Sequence, residues 1–125
     1  MHGTPRAERN RELGARGEAL AAAYLEGLGY QLLDRNWRSG REGELDLVAR
    51  DGEEIVAVEV KTRSGTTAGH PLESITARKA QRLRRLLLSW VRERHPRAPG
   101  LRIDAVGIVM RSGEDPRIHH LRGIA

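Results

Sequence analysis

The sequence predicts a mixed α/β fold, with one β-sheet flanked by helices and with its elements in the order α-β-β-β-α-β-β. Two long segments carry apolar residues at helical spacing, and five shorter segments have the apolar alternation or the apolar runs of strands. Glycine and proline separate these segments. A chain of 125 residues is long enough for one core and too short for two independent domains. We therefore expect a flexible leader over residues 1–10 and a single domain over residues 11–125.

A helix and a strand are predicted directly after the leader. The helix runs from Leu13 to Gly27 or Gly29, because glycine commonly ends helices. Its apolar face consists of Leu13, Gly17, Leu20, Tyr24 and Leu28. The segment from Tyr30 to Trp37 is rich in strand-forming residues, and a glycine-containing stretch follows it. We expect the first strand there.

A β-hairpin is predicted next, because Asp51-Gly52 separates two strand-like segments, 44–50 and 53–62. If Asp51 and Gly52 form the two-residue turn, the pairing register follows from it. Asp46 then lies diagonal to Glu59, roughly 7–8 Å away at the backbone. The hairpin would bring two carboxylates from neighbouring strands together.

Side-chain alternation sorts the hairpin residues into two faces. One face carries Glu44, Asp46, Glu59 and Lys61, and the other carries Leu45 with Leu47. Two carboxylates that converge suit a hard divalent cation, and charges on a covered sheet face need such a partner. The alternative is an exposed sheet on which Glu59 and Lys61 form an ordinary surface ion pair.

The second half of the chain predicts a loop, a long helix and two more strands. Small and polar residues from Ser64 to Pro71 are typical of a loop. The helix runs from Ser74 or Thr76 to Arg94 and stops at His95-Pro96. Apolar segments at 101–110 and 118–122 supply the last two strands.

The composition excludes several classes of protein. Aromatic residues make up only 3% of the chain, which argues against a module that stacks bases on exposed rings. Cysteine is absent, so disulfides and thiolate metal sites are ruled out. No apolar run approaches the length of a membrane helix. We expect a cytoplasmic protein without a membrane partner.

The charge points to an anionic partner. The formal net charge is +5, and the second long helix carries an arginine stripe. The stripe consists of Arg78, Arg82, Arg85 and Arg92, with Lys79 at the edge of the apolar face. A nucleic-acid backbone is the expected partner of Arg78, Lys79, Arg82 and Arg85, and Arg63 opens the loop just past the carboxylates. The alternative is a solvated arginine-rich face of a GC-rich genome's protein.

Three motifs together resemble a known family. They are Gly14-Ala-Arg-Gly17-Glu18 on the first helix, Gly43-Glu-Leu-Asp46-Leu47, and Val58-Glu59-Val-Lys61-Thr-Arg63. In this combination the chain resembles the YraN family of small bacterial proteins, within the PD-(D/E)XK superfamily of nucleases. Leu45 stands where the superfamily's proline would precede Asp46. The resemblance implies a restriction-endonuclease-like fold for nearly all of residues 11–122.

The resemblance also implies a function and a site. It implies a nuclease centre like that of archaeal Holliday junction resolvases, in which Asp46 and Glu59 bind Mg²⁺ or Mn²⁺. Lys61 would position and help activate the attacking water, and Glu18 would complete the site. DNA, in particular branched or structured DNA, is the expected substrate and is favoured over RNA. Because those resolvases pair, the analogy allows a homodimer.

Two other functions stay open at this point. The chain could be a non-catalytic nucleic-acid-binding protein that keeps a nuclease scaffold and serves a partner enzyme. It could also be a small basic protein associated with RNA or with the ribosome. The first alternative predicts salt-sensitive DNA binding without cleavage, and the second predicts a preference for RNA and indifference to the carboxylates.

Overall fold

The computed structural model describes residues 5–65 and 70–125. Within these ranges it contains α1 (Arg6–Gly27), β1 (Gln31–Arg38), β2 (Glu44–Asp51), β3 (Glu54–Arg63), a 3₁₀ turn (Pro71–Ser74), α2 (Ala77–Arg94), β4 (Gly100–Val109) and β5 (Arg117–Leu121). The predicted class and element order are confirmed. None of the helices in the described ranges is long and apolar enough to cross a membrane.

The strands form one mixed sheet in the order β1-β2-β3-β4-β5. The pairs β1–β2, β2–β3 and β4–β5 are antiparallel, whereas β3 and β4 are parallel. A parallel pair needs a crossover, and the segment with α2 supplies it. The two helices lie on opposite faces of the sheet, and each buries its own apolar cluster.

The α1 cluster and the α2 cluster share the strands between them. The α1 side buries Ala21, Leu25, Leu47, Val56, Val58, Val106 and Ile108, among others. The α2 side buries Leu45, Val48, Ile55, Leu83, Leu87, Trp90 and Ile103, among others. Because the central strands are covered on both faces, a charged side chain at their ends sits at the border of the core.

The first helix begins earlier than its apolar face indicates. It starts at Arg6, directly after Pro5, whose fixed φ suits a helix start. Residues 6–10 of the expected leader are therefore helical, while residues 1–4 lie outside the described residues. In the expected loop, residues 66–69 also lie outside the residues that the structure describes. The loop ends at Pro71, which begins the 3₁₀ turn.

The β2–β3 hairpin closes one residue later than predicted. Asp51 pairs with Glu54, so the loop consists of Gly52 and Glu53, and the predicted Asp51-Gly52 turn is wrong. Gly52 adopts a φ of 58°, and glycine at the first loop position is the pattern of a type II′ hairpin turn. The register shifts by two residues, which leaves every side chain on its predicted face of a regular strand.

The alternation of β2 is interrupted at Asp46. Leu45 packs in the α2 cluster, whereas Leu47 packs in the α1 cluster, although residues two apart share a face in a regular strand. The predicted placement of Leu45 beside Leu47 is therefore wrong. The neighbouring strand β1 is also irregular, since Asn36 has a φ of 50°. This distortion lies where the candidate site is built.

Candidate active site

Asp46 and Glu59 meet where β2 and β3 stop pairing. The ladder's last pair joins Leu47 to Val58, and Asp46 and Glu59 are the next residues of the two strands. The predicted diagonal arrangement, which followed from an Asp51-Gly52 turn, is wrong. Asp46 Oδ2 accepts a hydrogen bond from the Val60 backbone N–H at 2.8 Å. The carboxylate thus satisfies a strand donor at the end of the ladder and is held in place by it.

The two carboxylates repel each other. Burial, together with the nearby Glu59 charge, raises the pKa of Asp46 to about 8. The Glu59 side chain is only 11% exposed. Two carboxylates this close share a proton unless another positive charge joins them. Burial and the neighbouring carboxylate thus favour the protonated form of Asp46.

This donor set fits a hard divalent cation. Mg²⁺ and Mn²⁺ prefer carboxylate oxygens as ligands. A bound divalent cation would also allow both neighbouring carboxyl groups to ionise. In residues 5–65 and 70–125, no group of three or more Asp, Glu, His or Cys side chains is arranged to hold a metal. An ion held by Asp46 and Glu59 would keep several other ligands from water or substrate, as Mg²⁺ commonly does.

Lys79 lies at this carboxylate pair, and Lys61 interacts with Lys79. Lys79 Nζ, from α2, is 4.0 Å from Glu59 Oε1. Burial and contact with Lys61 lower the pKa of Lys79. The chain has 22 lysine and arginine residues in total, and only these two are lysine. Sequence reasoning placed Lys79 in the nucleic-acid surface and missed its contact with the site, although the rarity of lysine was a usable signal.

Glu18 reaches the site because α1 packs directly on β3. A Cβ atom at Gly17 would overlap Thr62 Oγ1, so only glycine lets the helix approach this strand. Glu18, the next residue, is brought to the end of the sheet, where burial and the Glu44 charge raise its pKa. Gly17, the second glycine of the Gly-x-x-Gly-Glu motif, thus sets the position of Glu18.

Asn36 and Glu44 are two members of the site that sequence reasoning did not select. With its amide nitrogen facing the two acceptors, Asn36 donates to Glu18 Oε2 at 3.1 Å and to Glu44 Oε1 at 3.0 Å. Arg38 also pairs with Glu44, at 3.1 Å. No sequence signal marks the left-handed conformation of Asn36.

A cavity of about 240 Å³ opens between this pair and α2, and Glu44, Asp46, Glu59, Lys79, Arg82, Leu83 and Leu86 line it. Arg82 donates to the Glu42 carbonyl oxygen at 2.7 Å, so it holds the turn before β2 as well as bordering the cavity. Arg78 and Arg85 are exposed on the same helix. The predicted basic surface of α2 therefore adjoins the carboxylates, and Arg63 lies at the end of β3.

The fold and the site define a mixed α/β domain that gathers carboxylates and lysines at the diverging ends of two neighbouring strands. The profile of the family described as "Uncharacterised protein family UPF0102" matches residues 17–108. The chain belongs to this family, which is also called YraN. The predicted family membership is therefore confirmed, and the match includes Glu18, Asp46, Glu59 and Lys61.

Relatives in other bacteria match nearly the whole chain. A UPF0102 protein of Leifsonia xyli is 54% identical over 113 residues, covering 90% of this chain and 95% of the relative. A UPF0102 protein of Streptomyces coelicolor is 49% identical over 115 residues, covering 90% of this chain and 88% of the relative. A UPF0102 protein of an Arthrobacter species is 47% identical over 112 residues, covering 90% of this chain and 94% of the relative.

Proposed function

We propose that this protein is a Mg²⁺- or Mn²⁺-dependent nuclease that hydrolyses phosphodiester bonds in DNA, branched or structured DNA included. One observation carries the proposal: Asp46 and Glu59 line one cavity at the ends of two neighbouring strands, and Lys79 Nζ lies 4.0 Å from Glu59 Oε1. Such a carboxylate pair is costly for the fold without a cation. Carboxyl groups that are held together at an energetic cost beside a cavity are typical of a functional site.

The chemistry of hydrolysis suits these side chains. A bound divalent ion would neutralise charge on the phosphate oxygens and lower the pKa of a water molecule. Lys61, next to the pair, orients the attacking water and stabilises negative charge. Lys79 places a second ammonium on the α2 side of Glu59. Glu18, held by Asn36, orients water or ligands of the ion from the α1 side.

A cleavage assay with matched variants tests the proposal. Duplex, flapped, single-stranded and four-way DNA substrates are incubated with Mg²⁺, with Mn²⁺ and with chelator. We expect metal-dependent cleavage that falls by about a hundredfold or more in Asp46→Asn and Glu59→Gln. Glu42→Gln, which changes an exposed acid near the cavity, is the control and should retain activity. Full activity in Asp46→Asn would refute the assignment.

One observation favours the non-catalytic alternative, a DNA-binding protein that serves a partner enzyme. Over the described residues, no cluster of three metal-binding side chains is present. This alternative predicts salt-sensitive DNA binding and no cleavage with any metal or substrate. Preference for RNA over every DNA substrate would instead favour the RNA-associated function. Cytoplasmic location and pairing into a homodimer stay predictions, for which fractionation and sedimentation are the measurements.

A further inference from the structure

A second groove lies on the α1 side of the sheet, across β3 from the α2 cavity. It has a volume of about 570 Å³, which is within the range of about 300–1,000 Å³ that ligand pockets span. Arg6, Asn10 and Gly14 line it from α1, and Thr62, Arg63 and Ser64 line it from the end of β3. We call it the α1–β3 groove.

The α1–β3 groove borders the candidate active site. Glu18 and Lys61 line its inner end, and both residues also belong to the group around Asp46 and Glu59. A ligand in the groove can therefore extend from a ligand bound at the carboxylate pair. The groove lies opposite the α2 arginines, so the two basic surfaces flank the site from both faces of the sheet.

The groove favours an extended anion with a polar backbone. Its cationic side chains are Arg6, Lys61 and Arg63, and its one acidic side chain is Glu18, at the inner end. Among the described residues, neither Arg6 nor Arg63 forms an ion pair with a carboxylate. Asn10, Thr62 and Ser64 add hydrogen-bonding groups. The described lining has no aromatic ring, so it suits phosphates and sugars better than stacked bases.

Gly14 keeps the floor of the groove open. A Cβ atom at this position would meet no other atom within 4 Å, so glycine is not required there for packing. Glycine in a helix interior is also unfavourable by itself. Its consequence is a bare stretch of helix surface between Asn10 and Glu18, over which a backbone can pass.

We propose that the α1–β3 groove binds the sugar-phosphate backbone of the DNA strand next to the cleaved bond, with Arg6 and Arg63 contacting phosphates and Gly14 leaving room for the chain. This assignment rests on the proposed function, since it extends the substrate of that site. It gives α1 a binding role in addition to its packing role. It also predicts that binding depends on residues that precede the matched family segment, 17–108.

A binding experiment without divalent metal separates this inference from the nuclease assignment. The full-length protein is titrated against a fluorescein-labelled single-stranded oligodeoxynucleotide in chelator, so that no cleavage occurs. We expect Arg63→Ala and Arg6→Ala each to weaken binding by about tenfold. Each should also reduce the slope of log affinity against log salt by about 0.7. Arg11→Ala, on an exposed position of α1 outside the groove, is the control and should leave affinity unchanged.

A steric variant tests the groove independently of charge. Gly14→Leu fills the floor without a clash, so we expect at least tenfold weaker binding and an equal or higher melting temperature, since leucine favours the helix. Gly27→Leu, at another open glycine of α1, is the matched control and should bind like the wild type.

The outcomes distinguish the two proposals. Weaker binding in the groove variants, with unchanged controls, supports the groove assignment. Wild-type binding in Gly14→Leu and Arg63→Ala would overturn the groove assignment and leave the nuclease proposal to its own cleavage assay. A wild-type protein that neither binds nor cleaves any nucleic acid would overturn both.

Discussion

Replacing Asp46 by asparagine should make the metal-free protein more stable, which is the opposite of what most substitutions at partly buried positions do. Asp46 lies against Glu59, and burial with the Glu59 charge raises its pKa from 3.8 to about 8. Asparagine has the same shape, cannot ionise, and can still accept the hydrogen bond from Val60 N–H. The variant therefore removes the electrostatic cost and keeps the local contacts.

The sign and the size of the effect follow from the linkage between protonation and folding. A carboxyl group with a folded-state pKa above its unfolded value stabilises the fold fully below about pH 4, and this stabilisation is lost as pH rises towards 8. A shift of about four units sets an upper limit of about 5–6 kcal/mol, at about 1.4 kcal/mol per unit. Because Asp46 is partly exposed, we expect Asp46→Asn to raise the free energy of unfolding by about 1–3 kcal/mol at pH 8 and to change it little at pH 5.

Urea denaturation with chelator, at several values between about pH 5 and pH 8, measures this difference. Addition of Mn²⁺ should reverse the order, because an ion at a hundred times its dissociation constant stabilises the wild type by about 2.7 kcal/mol. Asp46→Asn should show little of that gain. A stability difference that does not change with pH, or a less stable variant at pH 8, would refute the repulsion between Asp46 and Glu59.

Four further variants, at three positions, test other parts of the structure. Gly17→Ala should lower the free energy of unfolding by about 1–3 kcal/mol, because its Cβ would overlap Thr62; urea denaturation with no loss would contradict the close packing of α1 on β3. Asp104→Asn should destabilise by about 3–5 kcal/mol, since this fully buried carboxylate pairs with Arg102 at 2.8 Å, and a neutral effect in the same measurement would show that the pair is dispensable. Lys79→Met and Lys79→Arg should both lower the cleavage rate at least tenfold, and calorimetric titration should show that the arginine variant also binds Mn²⁺ more weakly; wild-type rates in both would exclude Lys79 from the site.

The periodicity of the chain was sufficient to predict the element order. Helical spacing identified α1 and α2, and alternation identified β2 and β3. The sheet face that carries Asp46 and Glu59 was predictable even with the wrong turn, because a register shift of two residues leaves each side chain on the same face of its strand. The turn itself was not, since Asp51-Gly52 and Gly52-Glu53 both offer a glycine to a two-residue loop.

The features that the sequence did not reveal depend on local distortion and on the approach of helices. Regular alternation cannot predict that Leu45 and Leu47 pack on opposite faces, because residues two apart share a face in a regular strand. The left-handed conformation of Asn36 gives no compositional signal, so its contact with Glu18 was missed. The start of α1 at Arg6 was missed because residues 6–12 are exposed and, apart from Ala7, polar.

The use of lysine at this site has a physical reason in a chain whose other cationic side chains are arginine. An arginine at position 79 could form two parallel hydrogen bonds with Glu59, and this bidentate pair would occupy the oxygens that a metal ion needs. Lys79 places a single ammonium 4.0 Å from Glu59 Oε1. It lowers the repulsion between the two carboxylates and leaves their oxygens accessible to a metal ion. Lys79→Arg should therefore stabilise the metal-free protein and weaken Mn²⁺ binding, whereas Lys79→Met removes a neighbouring positive charge, leaves the carboxylate oxygens accessible and should not weaken Mn²⁺ binding. Equal Mn²⁺ affinity in the wild type and in Lys79→Arg would show that the choice of lysine has another cause.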